Sequence, residues 1–310
     1  MTWDGPPRKF ILRLGRRQLL AALATGFAAR SAQAQADPDL SEDLRNLRLL
    51  DLSEGGRRFV LVVPKYLEPG QKLPVVVLLH GLGETGNERA GAYAWVERYG
   101  LGSARQRLKR APIERTSARG EWTDARLAEV NQELAARPFR GFAMVCPYMP
   151  NPSGVADLDS YARWIEKSLL PRVRKETQVH EDAAQTFLCG VSLGGYVSLE
   201  MLTRLPHVFG AWAGVQTAIG PFAAPGYAEK IATGWKASAA PHPMMLLTST
   251  LDHWKASSEA LAAAFKAKNL PTTYRVVPGP HDQPWLREAG TIEAMLWLDR
   301  IGYGAAATLR

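Results

Sequence analysis

The sequence predicts an α/β protein with a mostly parallel central sheet flanked by helices. Short apolar runs that are typical of buried strands alternate along the chain with longer runs of helical periodicity. One apolar run leads directly into Gly190-Val191-Ser192-Leu193-Gly194-Gly195, and a helical pattern follows it. Polar or glycine-rich segments follow several other runs, as is typical where parallel strands end at a ligand crevice.

The predicted strands begin with a hairpin, in which residues 47–52 and 59–63 flank the turn sequence Ser53-Glu54-Gly55-Gly56. A β-branched run at residues 74–79 follows and is typical of a strand buried on both faces. The later predicted strands are residues 142–145, 186–189, 211–217, 244–250 and 272–277, and the helical patterns are residues 157–177, 196–205, 257–268 and 291–301. This alternation predicts right-handed crossovers, with antiparallel strands at one edge only.

The connection between the third and fourth predicted strands is too long for a bare loop. It carries helical patterns at residues 90–99, 102–109 and 123–137. We therefore predict a helical insert after the third strand, at about residues 84–140, which forms a cap beside the ligand crevice.

The composition is that of a globular protein with one large core, because 46% of the 310 residues are hydrophobic and 22% are charged. The formal net charge is +8, but residues 1–36 hold six basic residues and one acidic residue. The other charges are interspersed, with no basic stripe that also carries aromatic residues. Nucleic acid is therefore not an expected partner.

The N-terminus has the pattern of an export signal peptide. Arg16 and Arg17 precede a modestly apolar stretch at residues 19–29, and residues 32–36 offer two Ala-x-Ala cleavage sites. The paired arginines resemble a twin-arginine signal, although Gly15 precedes them. We predict a signal at residues 1–36 and a periplasmic or secreted protein. The alternative is a retained anchor or an amphipathic helix at the membrane surface.

No other segment reaches membrane-spanning length, so we expect no stable membrane span once the signal is removed. The sequence does not determine the oligomeric state.

The segment around Ser192 predicts a nucleophile elbow, in which a strand turns sharply into a helix and exposes a serine hydroxyl. Glycine suits the neighbouring positions because a Cβ there would clash with the crossing strand or helix. The helix N-terminus also presents backbone N–H groups to a developing negative charge. An ordinary glycine-rich turn is the alternative.

A second glycine-rich segment, His80-Gly81-Leu82-Gly83, directly follows the third predicted strand. We predict that the N–H groups of Leu82 and Leu193 form an oxyanion hole. His80 itself is interpreted as a structural histidine that bonds the loop backbone.

Two further candidates follow the last two predicted strands. Asp252 could orient an imidazole, although it could also be a solvated loop residue or a helix N-cap. His281 lies in a Pro/Gly-rich loop and suits a general base near neutral pH. Asp282 is adjacent to His281, but neighbouring residues rarely face each other, so Asp252 is the predicted acid. The order Ser192, Asp252, His281 then predicts a catalytic triad.

These motifs resemble those of the α/β-hydrolase esterases of the esterase D and feruloyl esterase type. The resemblance rests on His80-Gly81, on residues 190–195 and on His281-Asp282-Gln283-Pro284-Trp285, and it covers about residues 57–302. Polyhydroxyalkanoate depolymerases are more distant members of this broad group. We predict an α/β-hydrolase catalytic domain at residues 37–310. The resemblance implies a carboxylic ester hydrolase without cofactor, with Ser192 as nucleophile, Asp252 as acid and His281 as base. The insert departs from the compact members of the group.

The remaining residues support few other chemistries. The six histidines show no metal-ligand spacing, so no metal site is expected. Cys146 and Cys189 are predicted to be buried free thiols on strands separated by a third. Trp254 and Trp285 flank the acid and base and are candidate walls of a pocket for a small ester. A peptidase, an acyltransferase and a non-catalytic binding module remain alternatives.

Overall fold

Eight strands form one sheet, and their order explains how distant residues reach the same edge. The computed structural model describes residues 44–235 and 242–304, so the predicted signal at residues 1–36 lies outside the described residues. The strands are β1 (Leu47–Glu54), β2 (Arg57–Pro64), β3 (Val75–Leu79), β4 (Ala143–Pro147), β5 (Thr186–Val191), β6 (Ala211–Val215), β7 (Met244–Leu251) and β8 (Thr272–Pro280). Their order in the sheet is β1-β2-β4-β3-β5-β6-β7-β8.

The predicted fold class is confirmed: β4, β3 and β5 to β8 run parallel, and β2 pairs antiparallel with both β1 and β4 at one edge. The hairpin turn between β1 and β2 consists of Gly55 and Gly56, both with positive φ (55° and 73°). A two-residue turn of this kind matches the twist of its strands and favours glycine at both positions. The sequence around this turn therefore specified the edge hairpin.

Helices cover both faces of the sheet, and each face has its own apolar core. The helices are α1 (Glu88–Ala92), α2 (Ala94–Glu97), α3 (Leu101–Lys109), α4 (Asp124–Ala136), α5 (Val155–Trp164), α6 (Leu170–Glu176), α7 (Leu193–Arg204), α8 (Ala224–Trp235), α9 (Lys255–Ala267), α10 (Gln283–Trp285) and α11 (Thr291–Gly302). A π turn joins α5 to α6 and another joins α10 to α11. Within the described ranges, no helix combines the length and apolar character that a bilayer span requires.

The sequence analysis missed helix α8. Pro225, Gly226 and Gly234 interrupt its apolar pattern, and residues of these types usually indicate a loop. The helix forms because Tyr227 and Ile231 are buried in the core beside α9. Tertiary packing here outweighs the weak helix propensity of the segment.

The insert after β3 contains α1 to α4, and much of it packs into the helix layer beside α11. Leu101, Leu108, Val130 and Leu134 are buried in the same core as the apolar face of α11. This burial removes their apolar surface from water, which a cap standing free over the crevice would not achieve. The predicted role as a cap therefore does not describe α3 and α4.

Both cysteines are buried free thiols, and strand β3 separates their strands. Burial raises the pKa of Cys189 to about 12, and that of Cys146 is raised for the same reason. Neither thiol is therefore activated as a nucleophile.

His80 joins the ends of β3 and β4. Its Nδ1 lies 2.8 Å from the carbonyl oxygen of Gly81, and its Nε2 accepts the N–H of Met149 at 2.9 Å. The Nδ1-protonated neutral ring satisfies both contacts, because only a protonated Nδ1 can donate and only a bare Nε2 can accept. Burial lowers the pKa of His80 to about 4, even though the Gly81 carbonyl raises it.

We predict that His80 makes the stability of the fold depend on pH. Its pKa is lower in the folded than in the unfolded chain, so its contribution is complete above about pH 6.5 and is lost as the pH falls towards 4. Between pH 7 and pH 5, urea unfolding of the wild type should lose about 2 kcal/mol more stability than His80→Gln. Equal losses in the two proteins would contradict the buried neutral imidazole.

Glu293 on α11 connects the insert to β8 and is fully buried. Its Oε1 and Oε2 accept hydrogen bonds from Arg126 of α4 at 2.7 and 2.8 Å, and Arg275 of β8 pairs with Oε2. Burial alone would raise the pKa of Glu293, but the two guanidinium groups outweigh that effect and hold it below its ordinary value.

We predict that Glu293→Gln lowers the free energy of unfolding by about 3 kcal/mol, because it removes the buried carboxylate that Arg126 and Arg275 share. Urea denaturation at neutral pH measures this change. Glu129→Gln removes an exposed partner of the same Arg126 and should cost less than about 1 kcal/mol. If both variants lost a similar amount of unfolding free energy, burial of Glu293 would not explain its contribution to stability.

Candidate active site

The candidate residues lie at the carboxyl ends of the parallel strands. Ser192 directly follows β5, Asp252 follows β7, and His281 follows β8. Parallel strands end at the same edge of a sheet, and ligand crevices form there. The sheet order β5-β6-β7-β8 thus brings these three positions to one edge.

Ser192 occupies a sharp turn between β5 and α7, with φ 55° and ψ −117°. Two glycines allow the chain to pass this closely. A Cβ on Gly190 would lie 2.1 Å from the carbonyl oxygen of Gly194, and a Cβ on Gly194 would lie 2.4 Å from the carbonyl oxygens of Leu79 and His80. These approaches are too close for any side chain, so the glycines are a steric requirement of the turn.

A network through Gln216 connects Ser192 to the loop that carries His281. The Ser192 N–H donates to the carbonyl oxygen of Val215 at 2.9 Å, and the next residue, Gln216, has φ 48°. The Gln216 side chain donates to the carbonyl oxygen of Pro280 at 3.1 Å and to Ser249 Oγ at 2.8 Å. The buried amide therefore links the elbow, the end of β7 and the residue before His281.

The sequence analysis missed Gln216 because it placed residues 211–217 in one strand. The structure ends β6 at Val215. A polar residue directly after an apolar run was the available signal, and the same signal identified Asp252 and His281.

Asp252 and His281 form a close pair. His281 Nδ1 lies 2.8 Å from Asp252 Oδ1, which also accepts the N–H of Trp254 at 3.0 Å. Thr248 Oγ1 donates to the other carboxylate oxygen at 2.6 Å. Burial alone would raise the pKa of Asp252, but these hydrogen bonds outweigh it and hold the pKa below its ordinary value. The carboxylate is thus ionised and can orient the imidazole.

Among the residues that the structure describes, the Ser192 hydroxyl forms no hydrogen bond with His281. Hydrogen bonds of this kind are often long until a substrate binds. The pairing of Ser192 with His281 therefore stays a prediction.

His253 lies beside this pair, and the sequence analysis gave it no role. Its ring centroid is 4.5 Å from that of His281 and 5.1 Å from that of Trp254. Burial and the neighbouring His281 lower the pKa of His253.

The two tryptophans predicted to line a pocket differ in exposure. Trp254 is half-buried beside the pair. Trp285 is fully buried, and its Nε1 donates to the carbonyl oxygen of Pro278 at 2.9 Å. Its ring packs so closely on Gly279 that a Cβ there would lie 2.4 Å away. The position of Trp285 assigns it to the packing of the His281 loop, and we do not propose it as a substrate contact.

The loop after β3 lies beside the elbow, since a Cβ on Gly81 would be 3.9 Å from that of Ser192. The Gly81 N–H donates to Tyr99 Oη at 3.0 Å, and Tyr99 donates in turn to Glu84 at 2.5 Å. The Gly81 N–H is therefore occupied. In the described part of the chain, the N–H groups of Leu82 and Leu193 donate to no protein group.

Glu84 and Tyr99 were also missed by the sequence analysis. Glu84 is buried and pairs with Arg98, while Gln283 Nε2 lies 3.4 Å from its Oε1. Burial raises the pKa of Glu84 despite the hydrogen bond from Tyr99. These contacts connect the loop after β3 with the loop after β8, and no spacing in the sequence indicates them.

Residues 147–289, which include all three candidates, match the family described as putative esterase. A search of curated proteins finds no match. Among solved structures, a ferulic acid esterase is 17% identical with a TM-score of 0.59, over 82% of this chain and 97% of that chain. An S-formylglutathione hydrolase from Staphylococcus aureus is 13% identical with a TM-score of 0.56, over 82% and 96%. The feruloyl esterase module from Clostridium thermocellum is 13% identical with a TM-score of 0.57, over 86% and 90%.

These structural likenesses show the fold that the chain adopts. The family match adds the activity class and covers the segment from the end of β4 to the residues after His281. The chain therefore has the α/β-hydrolase fold, and the family match over residues 147–289 supports a carboxylic ester hydrolase.

Proposed function

We propose that this esterase cleaves its substrate through a Ser192–His281–Asp252 triad and an acyl-enzyme intermediate. The observation that carries the proposal is the 2.8 Å contact between His281 Nδ1 and a buried, ionised Asp252. It lies at the sheet edge where Ser192 occupies a strained elbow. A serine, an oriented imidazole and a carboxylate are together the groups that this chemistry requires.

In the first half of the reaction, His281 Nε2 removes the Ser192 proton while the serine oxygen attacks the ester carbonyl. The carbonyl oxygen becomes an oxyanion, which the N–H groups of Leu82 and Leu193 stabilise. The same imidazole then protonates the leaving alcohol, and the acyl group stays on Ser192.

In the second half, His281 removes a proton from water, which attacks the acyl-enzyme. Collapse of the second oxyanion releases the carboxylic acid and restores Ser192. Asp252 fixes the ring so that Nε2 faces the serine, and its charge stabilises the imidazolium that forms in each half.

The proposed substrate is a small-molecule ester. Half-buried Trp254 supplies an aromatic surface beside the pair. Two of the structural relatives are named as ferulic or feruloyl esterases. Aryl esters and hydroxycinnamate esters are therefore the first substrates to test. We further propose export to the periplasm or medium, which rests on Arg16-Arg17 and the Ala-x-Ala sites alone.

We predict that Ser192→Ala lowers kcat for p-nitrophenyl acetate by about 10⁴-fold or more, because no other group can form the acyl-enzyme. A fluorophosphonate probe should label the wild type and not this variant. Ser160→Ala changes an exposed serine on α5 and should leave both readouts unchanged. Wild-type turnover by Ser192→Ala would refute the nucleophile, and failure to label the wild type would favour a non-catalytic binding module.

We also predict that Asp252→Asn lowers kcat by about 10⁴-fold while the protein stays folded, because an amide favours the wrong tautomer of His281. Steady-state kinetics at pH 7 measures the loss, and circular dichroism checks the fold. A loss below tenfold would assign Asp252 to capping α9 rather than to the triad.

A further inference from the structure

A cluster of metal-ligating side chains overlaps the proposed triad. Asp252, His253 and His281 each offer one donor atom, and these atoms lie within 4.8 Å of one another. The six histidines of the sequence are scattered, so only the fold brings two of them together beside a carboxylate. We propose that this cluster is an inhibitory site for a divalent zinc-like cation, which switches the esterase off by capturing its general base.

The donor set fits zinc. Two imidazoles and one carboxylate form a common three-residue ligand set for Zn²⁺, with water in the fourth position. Ligand distances of about 2.0–2.2 Å place two donors of a tetrahedral ion about 3.3–3.6 Å apart. His281 Nδ1 and Asp252 Oδ1 lie 2.8 Å apart, so these two have to separate slightly while the third donor approaches.

His253 can make that approach because its side chain is exposed. Its ring already stands 4.5 Å from the His281 ring, centroid to centroid. The Asp252 carboxylate is held by hydrogen bonds from Thr248 and from the Trp254 N–H. Such supporting hydrogen bonds orient metal ligands and raise their affinity. An exposed histidine beside a carboxylate that is already held, with His281 bonded to it, thus makes a site that an ion can complete.

Occupation of this site stops the proposed reaction, and this consequence rests on the proposed function. Binding at His281 Nδ1 requires the neutral ring to shift its single proton from Nδ1, where it bonds to Asp252, to Nε2 by exchange with solvent. The ring then carries that proton on Nε2 and cannot accept one from Ser192. Binding at Nε2 occupies the base directly. Either geometry removes the general base while the fold stays intact.

The site should distinguish cations by their chemistry. Imidazole ligands favour Zn²⁺, Cu²⁺ and Ni²⁺, whereas Mg²⁺ and Ca²⁺ prefer oxygen ligands. With two nitrogen donors and one carboxylate, the cluster should therefore not bind Mg²⁺.

The binding experiment uses the untagged mature protein and isothermal titration with ZnCl₂, with MgCl₂ as the ion control. We expect saturable binding of one Zn²⁺ and at least a tenfold weaker Kd in His253→Asn. His207→Asn is the matched control, because His207 is an exposed histidine that contacts Glu166 elsewhere, and its Kd should equal that of the wild type. Ser192→Ala should also bind Zn²⁺ as the wild type does.

The activity experiment titrates Zn²⁺ against hydrolysis of p-nitrophenyl acetate, with each protein compared with its own uninhibited rate. The concentration for half inhibition should rise at least tenfold in His253→Asn, and EDTA should restore activity. Equal Zn²⁺ affinity of the wild type and His253→Asn, or no saturable binding up to about 1 mM, overturns the proposal. If the wild type hydrolyses no ester, the proposed function fails while the binding experiment still decides the metal site.

Discussion

The close approach of three backbone segments at Ser192 is the constraint on which the site depends. The first turn of α7 touches the end of β3 so tightly that Gly194 has no room for a Cβ. This contact brings the Leu193 N–H, the Ser192 hydroxyl and the loop that carries Leu82 into one small region. A larger residue at Gly190 or Gly194 would force α7 away from the sheet, and these groups would separate.

The loop that carries His281 depends on side chains for its position. Pro278 and Pro280 have no backbone N–H to donate, and side chains hold the loop from several directions. Asp252 holds the imidazole, Gln216 holds the carbonyl of Pro280, and Arg119 pairs with Asp282 at 2.7 Å. Because Arg119 belongs to the insert, the segment between β3 and β4 reaches the candidate base through a loop while its helices pack in the core.

Buried polar groups connect the elements around the site. His80 bonds the backbone after β3 and after β4, and Glu293 joins α4, α11 and β8. A buried polar group without such partners would be destabilising, so each of these residues fixes the relative positions of the elements it bonds. The paired residues Asp252 and His281 are also two of the three ligands of the proposed inhibitory metal site.

Local patterns in the sequence determined every strand, most of the helices and three of the candidate positions. Strand runs, the Gly55-Gly56 turn and the glycines around Ser192 are signals between near neighbours, and residues after strands in a parallel sheet converge by topology alone. Tertiary structure alone decided the positions of Gln216, His253 and Trp285, the packing of α8, and the docking of the insert against α11. These features depend on contacts between residues far apart in the chain. Burial and the distance between side chains in the folded protein decide which residues meet, and sequence spacing does not indicate them.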